Sequence, residues 1–540
     1  MTILPESLLA RDPVTFEVIR GGLYAICEEM KAVVMRTSFS PLLSLSADLS
    51  CAFLDAAGEV AAQGNDIPVH LGAMPFTGRA VLTTFPAASW HEGDAVLLND
   101  PYQGGSHLPD MSLLMPAFVD GALLGFTATR VHWPDVGGIA AGSSSVTDEI
   151  IKEGLRIPPI LILQGGQVRE DVLNLILANV RVPEDRRGDF RAQLAGNMRG
   201  VTRMQDLARR YGAHLVRQVL ADSQTYSRVQ MQTRLAALPD CDVSHAETMD
   251  GDGFGDDPAL TIQVRIVKTG AKVAVDFTGT AAQARGPVNA PLAVTASSVY
   301  YTLICLVGGE VPPNSGAYSV VSITAPEASL VHAAYPAPVV AANTETSNRI
   351  VDVLLGALAK AFPERVPGGG YGSACVVTFG GYDPARGRRF VHYETVGGGM
   401  GARAGHDGAS GQRVHMGNTM NLPIEVLESA FPVRFHAYEL LQKTRGAGKW
   451  QGGAGVRRVM EMLTDGVQAS VLGERTVTPA AGVNGGAAGG LAQFTLLMAD
   501  GAVRRLDSKS GPHPMGRGDR LDICTAGGGG WGTPLTKKSY

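Results

Sequence analysis

Several short motifs that assign a function quickly are missing from this sequence. No Gly-x-x-x-x-Gly-Lys-Ser/Thr loop occurs; GAGKW (446–450) has the lysine but no hydroxyl residue after it, so it is not a phosphate loop of that type. No Gly-x-Ser-x-Gly elbow presents a serine nucleophile. No Gly-x-Gly-x-x-Gly follows a strand in a βαβ setting, which argues against a dinucleotide fold. There is no CxxC pair. The cysteines (Cys27, Cys51, Cys241, Cys305, Cys375 and Cys524) are scattered as free thiols in a reducing cytoplasm would be. No apolar run reaches the length of about 18 residues that a membrane helix needs. The opening MTILPESLLARDP lacks a basic stretch followed by an apolar one, so no secretory leader is expected and a cytoplasmic location is predicted. Charged residues are sparse at 18%, with a formal net charge of −5, so neither a nucleic-acid nor an anionic-membrane partner is expected.

Glycine is abundant instead: 67 of 540 residues, with 31 prolines and no repeat period. That pattern marks tight turns and close backbone approaches in a loop-rich protein. The length predicts several lobes. The expected fold class is α+β: a mixed, multi-lobed protein, its N-terminal half built of helices and hairpins, its C-terminal half rich in strands and turns.

Asp12 as a cap and Pro13 as the first helical residue predict a helix over 12–36, with Ile19, Leu23, Ile26, Met30 and Val33 on its inner face. ADLSCAFLD and EVAAQG predict a hairpin over 46–64. A second is predicted over 111–132, turning at Asp120-Gly121. Residues 188–235 read as one long helix or two packed ones, with Leu194, Met198, Val201 and Met204 facing inward. Pro239 and the acidic stretch MDGDGFGDD (249–257) mark a boundary. The strand pair LTIQVRIVK and KVAVDFTG and a helix near 347–361 follow. The predicted lobes are 1–240, carrying the long helices and a metal site; 241–390, α+β; and 391–540, glycine-rich and mainly β. The GGGG near 527 reads as a turn before the tail.

The chemistry-bearing residues concentrate in NDPYQGGSHLPD and the hairpin after it. With Asp120-Gly121 as a two-residue loop, Val119 faces Ala122, and continuing that pairing puts His132 opposite Pro109. Opposed residues lie about 4.5–5.5 Å apart, so His107, Asp110 and His132 are expected to cluster at the open end of the hairpin. Pro116 inside the run predicts a bulge or an edge strand, which shifts the pairing by one and leaves the cluster intact. Two imidazoles and a carboxylate suit a divalent ion, zinc or manganese. The alternative is that His107 and Asp110 stabilise a loop and His132 is a satisfied core histidine. His70, Asp135 and Glu153 are further polar residues in this half, candidates for a general base or for supporting positions. His392, His406 and His415, with Glu394 and Asp407, read as a wall of the cleft.

The chain resembles the hydantoinase B/oxoprolinase family along nearly its whole length. The resemblance runs through DPVTFEVIRGGL, ADLSCAFLDAAGEV, NDPYQGGSHLPD, RVHWPDVGG and IKEGLRIPP. It continues in NTETSNRIVDVLLGAL, GGGMGARAGHDG, NTMNLPIEVLESAFPVRF, GAGKWQGGAGVRR, LGERTVTPAAGV and TAGGGGWGTP. It implies the B-type subunit of an ATP-dependent hydrolase of cyclic amides (a hydantoin, 5-oxoproline or another lactam). An A-type partner would use ATP to phosphorylate the carbonyl oxygen, in a hetero-oligomer with two or more copies. By position it adds Asp48 to His107, Asp110 and His132 as metal ligands. The family also contains subunits of ketone carboxylases, the runner-up reading; a non-catalytic assembly subunit with a structural metal is the third. Two positions depart from the family pattern. LSAD (45–48) stands where members often carry Glu-Arg-x-Asp, and Trp133 stands where many carry a second histidine.

Overall fold

Asp12 and Pro13 open the first long helix. In α1 (Pro13–Thr37) the Asp12 carboxylate accepts the Thr15 N–H at 3.0 Å, satisfying one of the amides a helix start leaves free. Ile19, Leu23, Ile26 and Met30 are buried along it, and Val34 rather than Val33 completes the stripe. The computed structural model describes residues 7–255, 259–308 and 311–534; the start of the opening segment and the last two residues of the acidic stretch 249–257 lie outside the described residues.

The N-terminal half builds one antiparallel sheet from β1 (Leu49–Asp55), β2 (Val60–Gln63), β3 (Ala95–Leu98), β4 (Asp110–Val119), β5 (Ala122–His132), β6 (Ile160–Gln164) and β7 (Gln167–Val168), in the order β2-β1-β5-β4-β3-β6-β7. α2 (Pro68–Thr84) packs Met74 and Val81 against Leu54, Trp90 and Phe126 on one face. α1 and α3 (Pro183–Tyr211) cover the other, where Phe16, Ile19 and Phe190 meet Leu49, Met111 and Val131. Each such fully buried apolar side chain contributes about 1.5–3 kcal/mol.

The 188–235 segment is two helices: α3 and α4 (Ala213–Ala236), broken at Gly212, whose φ of 92° a side chain would resist. The inner face of α3 differs from the expected apolar stripe. Met198 is 52% exposed and Leu194 and Val201 are only partly covered, while Gly188, Ala192, Gln193, Gly196, Asn197 and Gly200 are buried. Small residues let the helix approach α1 closely: a Cβ on Gly200 would lie 2.5 Å from the Met30 sulfur. Gln193 and Asn197 donate to the Met111 carbonyl (2.9 Å) and the Thr129 hydroxyl (2.6 Å). Hydrophobic periodicity does not register a face made of small and polar residues.

The middle of the chain forms a second sheet from β8 (Cys241–Thr248), β9 (Thr261–Thr269), β10 (Lys272–Asp276) and β11 (Val321–Thr324), ordered β11-β10-β9-β8. Its apolar face is covered by α5 (Leu292–Val307) and α6 (Ser347–Leu358). The last third contributes β12 (Val376–Asp383), β13 (Arg388–Thr395), β14 (Val433–Leu441), β15 (Gly455–Met462), β16 (Val467–Leu472), β17 (Gln493–Leu497), β18 (Val503–Leu506), β19 (Lys509–Met515) and β20 (Arg520–Cys524). These form two sheets, β13-β12-β16-β19 and β14-β15-β20-β17-β18, around a shared core of Phe379, Met460, Val471 and Ile523. Residue 240 lies between α4 and β8, and residue 390 within β13. The protein is α+β. Among the described residues no helix is long and apolar enough to cross a membrane, and all six cysteines are free.

The GGGG segment is not a surface turn. Gly527 to Gly530 are buried, and their N–H groups donate in turn to Gly490, Gly453, Gly369 and Ala487, each at 2.9–3.0 Å. A Cβ on Gly528 would sit 2.0 Å from the Met400 carbonyl oxygen. These four glycines thus serve backbone-to-backbone packing, which admits no side chain.

Candidate metal centre

The second hairpin turns at Asp120-Gly121, and both residues have positive φ (50° and 75°), as a tight two-residue turn requires. Val119 faces Ala122 as predicted. The register slips by one between Ala117 and Phe118, beside Pro116, so that Asp110 rather than Pro109 lies opposite His132. The cluster survives the slip. β1 pairs on the other side of β5 with Leu49 opposite Val131, and the His132 N–H donates to the Asp48 carbonyl at 3.1 Å. Asp48, His132 and Asp110 therefore stand in one row across the ends of three adjacent strands. His107 comes from the loop that leads into β4.

Ligand atoms of His107, Asp110 and His132 all lie within 4.8 Å of one another, and the three residues are buried. Their surroundings sort each side chain into a satisfied end and a free end. Asp110 Oδ2 accepts from the Ser106 hydroxyl (2.5 Å) and the Asn343 amide (3.1 Å) and lies 3.2 Å from His70 Nε2; Asp110 Oδ1 has no hydrogen-bond partner. His107 Nδ1 donates to the Val340 carbonyl (3.1 Å), and Nε2 faces Asp110 Oδ1 at 3.2 Å. Burial would lower the His107 pKa, yet the Asp110 carboxylate raises it above the ordinary imidazole value, so either a proton on Nε2 or a bound cation bridges this contact. Both ring nitrogens of His132 are buried and unpartnered. Burial, with His107 beside it, holds the His132 pKa well below the ordinary imidazole value, so the ring is neutral and able to ligate. Burial alone would raise Asp110, yet the His107 and His70 imidazoles hold it well below the usual carboxylate range. Orphaned lone pairs of this number are rare in a buried site. Partners that fix the far side of each ligand, as Val340, Ser106 and Asn343 do, are characteristic of metal sites.

Asp48 and His132 line a cavity of about 40 Å³, together with His70, Asn343, Tyr371 and Tyr393. Burial pushes the Asp48 carboxyl up to about 6, and the neighbouring His70 draws it back toward ionisation. His70 stands in the first turn of α2, with Nδ1 3.2 Å from the Ser50 hydroxyl.

The other sequence candidates lie farther back. The Asp135 carboxylate accepts the Arg181 backbone N–H (2.7 Å) and pairs with its guanidinium (2.8 Å). Glu153 accepts from the Val339 and Val340 N–H groups (2.9 and 3.0 Å) and from the Thr147 hydroxyl (3.1 Å), one peptide behind the carbonyl that holds His107. His415 pairs with Asp352 at 3.2 Å, and His392 lies 3.5 Å from Glu394. His406 is exposed, and Asp407 accepts the Gln451 N–H and pairs with Arg445. Of the expected C-terminal wall the cavity takes residues beside these (Tyr393, Arg413 and Met416). Sequence reasoning missed Ser106 and Asn343. Ser106 directly precedes His107. Asn343 lies in a single π-helical turn (Ala342–Thr346) that enters α6, an irregularity often found at functional sites.

A buried, enclosed set of imidazole and carboxylate donors with free lone pairs, at the end of an antiparallel sheet, has the make-up of a mononuclear metal centre. The sequence profile of the hydantoinase B/oxoprolinase family matches residues 12–534, and the chain belongs to that family. An uncharacterised protein of Methanocaldococcus jannaschii is 38% identical over 529 residues, 97% of this chain and 92% of the relative. The caprolactamase subunit beta of Pseudomonas jessenii is 32% identical, covering 97% of this chain and 92% of the relative. 5-oxoprolinase 1 of Arabidopsis thaliana is 32% identical over 97% of this chain, which spans 42% of that longer protein. The crystal structure of the ATP-dependent caprolactamase from Pseudomonas jessenii superposes with a TM-score of 0.89 at 30% identity, over 97% of this chain and 92% of that one. An acetone carboxylase structure shares the fold, with a TM-score of 0.90 at 17% identity over 98% of this chain and 77% of that one.

Proposed function

We propose that this chain is the B-type subunit of an ATP-dependent hydrolase of cyclic amides, working with an A-type subunit that uses ATP to phosphorylate the amide oxygen. The observation that carries the reading is the clustered set His107 Nε2, Asp110 Oδ1 and the His132 ring, with His132 and Asp48 lining one cavity, in a chain whose relatives include a caprolactamase subunit and a 5-oxoprolinase. Unstrained amides resist water because resonance ties up the carbonyl. Phosphorylation of the oxygen removes that resistance, and a water then has to be delivered to the carbon. Asp48, His107, Asp110 and His132 would hold a divalent ion, zinc or manganese, which would supply Lewis acidity and a water of lowered pKa.

The chain's own residues fix this arrangement. Val340 sets the His107 tautomer, and Ser106 and Asn343 turn one oxygen of Asp110 into the site. His70 lines the cavity and is the general-base candidate nearest the reacting atoms, whereas Asp135 and Glu153 act as positioning residues. The cavity wall excludes bulk water from the activated carbonyl.

The test uses the complex reconstituted with its A-type partner and a panel of lactams, hydantoins and 5-oxoproline. ATP-coupled ring opening by the complex, and none by either chain alone, is the expected result. Label from bicarbonate appearing in an acid product would instead establish the ketone carboxylase reading, which shares the fold. Full activity of an assembled His107→Ala complex would leave the chain an assembly subunit with a structural metal.

A further inference from the structure

A second cavity of about 40 Å³ shares a lining residue, Tyr393, with the first. The Tyr393 ring lies 4.1 Å from the His132 ring. A single water needs about 10–15 Å³ on this measure, so the space holds three or four oxygen-sized atoms, the size of a tetrahedral oxyanion. Arg186, 1% exposed, lines it. One guanidinium nitrogen lies 2.9 Å from Asp189 Oδ2, while Nε and Nη1 have no hydrogen-bond partner among the described residues. Asp189 is itself held by the Phe39 and Ser40 N–H groups (2.8 and 3.1 Å), so it cannot swing to cover the rest of the guanidinium.

The first turn of α3 also borders this cavity, and Val182 gives that 29-residue helix no side-chain cap. Exposed Arg388 and Arg389 stand at the rim, with Asp185 as the opposing charge. His392 Nε2, 2% exposed on the far wall, is 3.5 Å from Glu394 and makes no hydrogen bond. A buried guanidinium with two free donors, beside an uncapped helix start and a basic rim, is built for a compact anion.

We propose that this cavity binds a phosphate-class oxyanion, beside the site where an ATP-coupled ring opening would leave a phosphoryl group. The choice of phosphate rests on the reading given under Proposed function; the binding itself does not need activity. Inorganic phosphate titrated calorimetrically into the full chain is expected to bind saturably at one site. Arg186→Gln should weaken binding by about tenfold or more, since it removes a charge-assisted donor pair. The double variant Arg388→Ala/Arg389→Ala, whose exposed positions do not endanger folding, should weaken it by a smaller factor. If Arg186→Gln is recovered unfolded, the rim variant decides alone. His107→Ala should bind phosphate as the unmodified chain does.

No saturation at roughly 10 mM phosphate, or binding that disappears with His107→Ala and ignores the arginines, overturns the proposal. In the assembled complex, phosphate inhibition that weakens in the arginine variants assigns the site to released phosphate. A fall in kcat without inhibition assigns it to the phosphoryl group on the activated substrate. Phosphate binding by a chain whose complex opens no cyclic amide would sink the hydrolase reading and leave the site standing.

Discussion

The turn that enters α6 delivers Asn343 to the candidate metal centre; farther along the same helix, Arg349 and Asp352 enter a network of buried ion pairs. In that network each charge meets an opposite one. Arg349 pairs with Glu247 (2.9 Å), Arg475 with Asp352 (2.5 Å), His415 with Asp352 (3.2 Å) and Lys509 with Glu474. At the candidate metal centre, by contrast, His107 Nε2, Asp110 Oδ1 and both His132 ring nitrogens have no hydrogen-bond partner among the described residues. Both clusters are buried and both are polar, so burial does not separate them. The network also keeps guanidinium nitrogens without a hydrogen-bond partner (Arg349 Nε and Nη1, Arg475 Nε), so what sets the candidate centre apart is the His132 ring, which has neither an ion-pair nor a hydrogen-bond partner among the described residues.

The sharpest way to break this comparison is to remove a free-ended group. His107→Ala or Asp110→Ala should abolish activity of the assembled complex almost completely and strip the bound metal, read by elemental analysis, while the subunits still co-purify. Retention of metal by either variant would show that these lone pairs are not its ligands.

Next in size is a break in the closed network. Asp352→Ala leaves the Arg475 guanidinium buried without its main counter-charge, and a loss of about 3–5 kcal/mol is expected in denaturant unfolding. Metal content should not change; a loss of metal equal to that of the His107 variant would erase the distinction between the clusters.

Glu153 tests the boundary between site and scaffold. Burial pushes its carboxyl up to about 8 from an ordinary 4.5. Between those values the folded chain holds a proton that the unfolded chain has released, so stability falls as pH rises across the window. Glu153→Gln mimics the protonated form. It should flatten the decline of thermal stability between about pH 5 and 8 and keep near-normal activity at neutral pH. Loss of activity as complete as with His107→Ala would make Glu153 the general base.

The smallest effects lie on α3. Gly200→Ala places a methyl against Met30 and Thr127 and should cost about 1–3 kcal/mol. Met198→Gln, on the exposed face, should stay within about 0.5 kcal/mol. The reverse order in thermal unfolding would restore the apolar stripe expected from periodicity.

What could be read from the chain follows from the range of the interactions involved. The cap at Asp12, the Asp120-Gly121 turn and the convergence of His107, Asp110 and His132 are local. A turn fixes its own hairpin, and Pro116 announced the slip that placed Asp110 rather than Pro109 opposite His132. Asp48 came only from family resemblance, because its position beside His132 depends on β1 pairing with β5, a pairing that no turn between them specifies. The buried face of α3 was missed because close approach of glycines and hydrogen-bonding amides leaves no hydrophobic period. GGGG was misjudged because glycines that pack backbone to backbone look, in sequence, like glycines that turn.

By itself, then, the sequence determined the family, the α+β class and the convergence of His107, Asp110 and His132, all set by local turn geometry or by the order of many motifs. Only the tertiary structure decided which lone pairs are left free. It showed that Asn343 and Val340, more than 200 residues away in sequence, orient Asp110 and His107, and that a buried arginine lines a second cavity with Tyr393. Those facts depend on which distant donors happen to meet which acceptors, and sequence spacing carries no information about that.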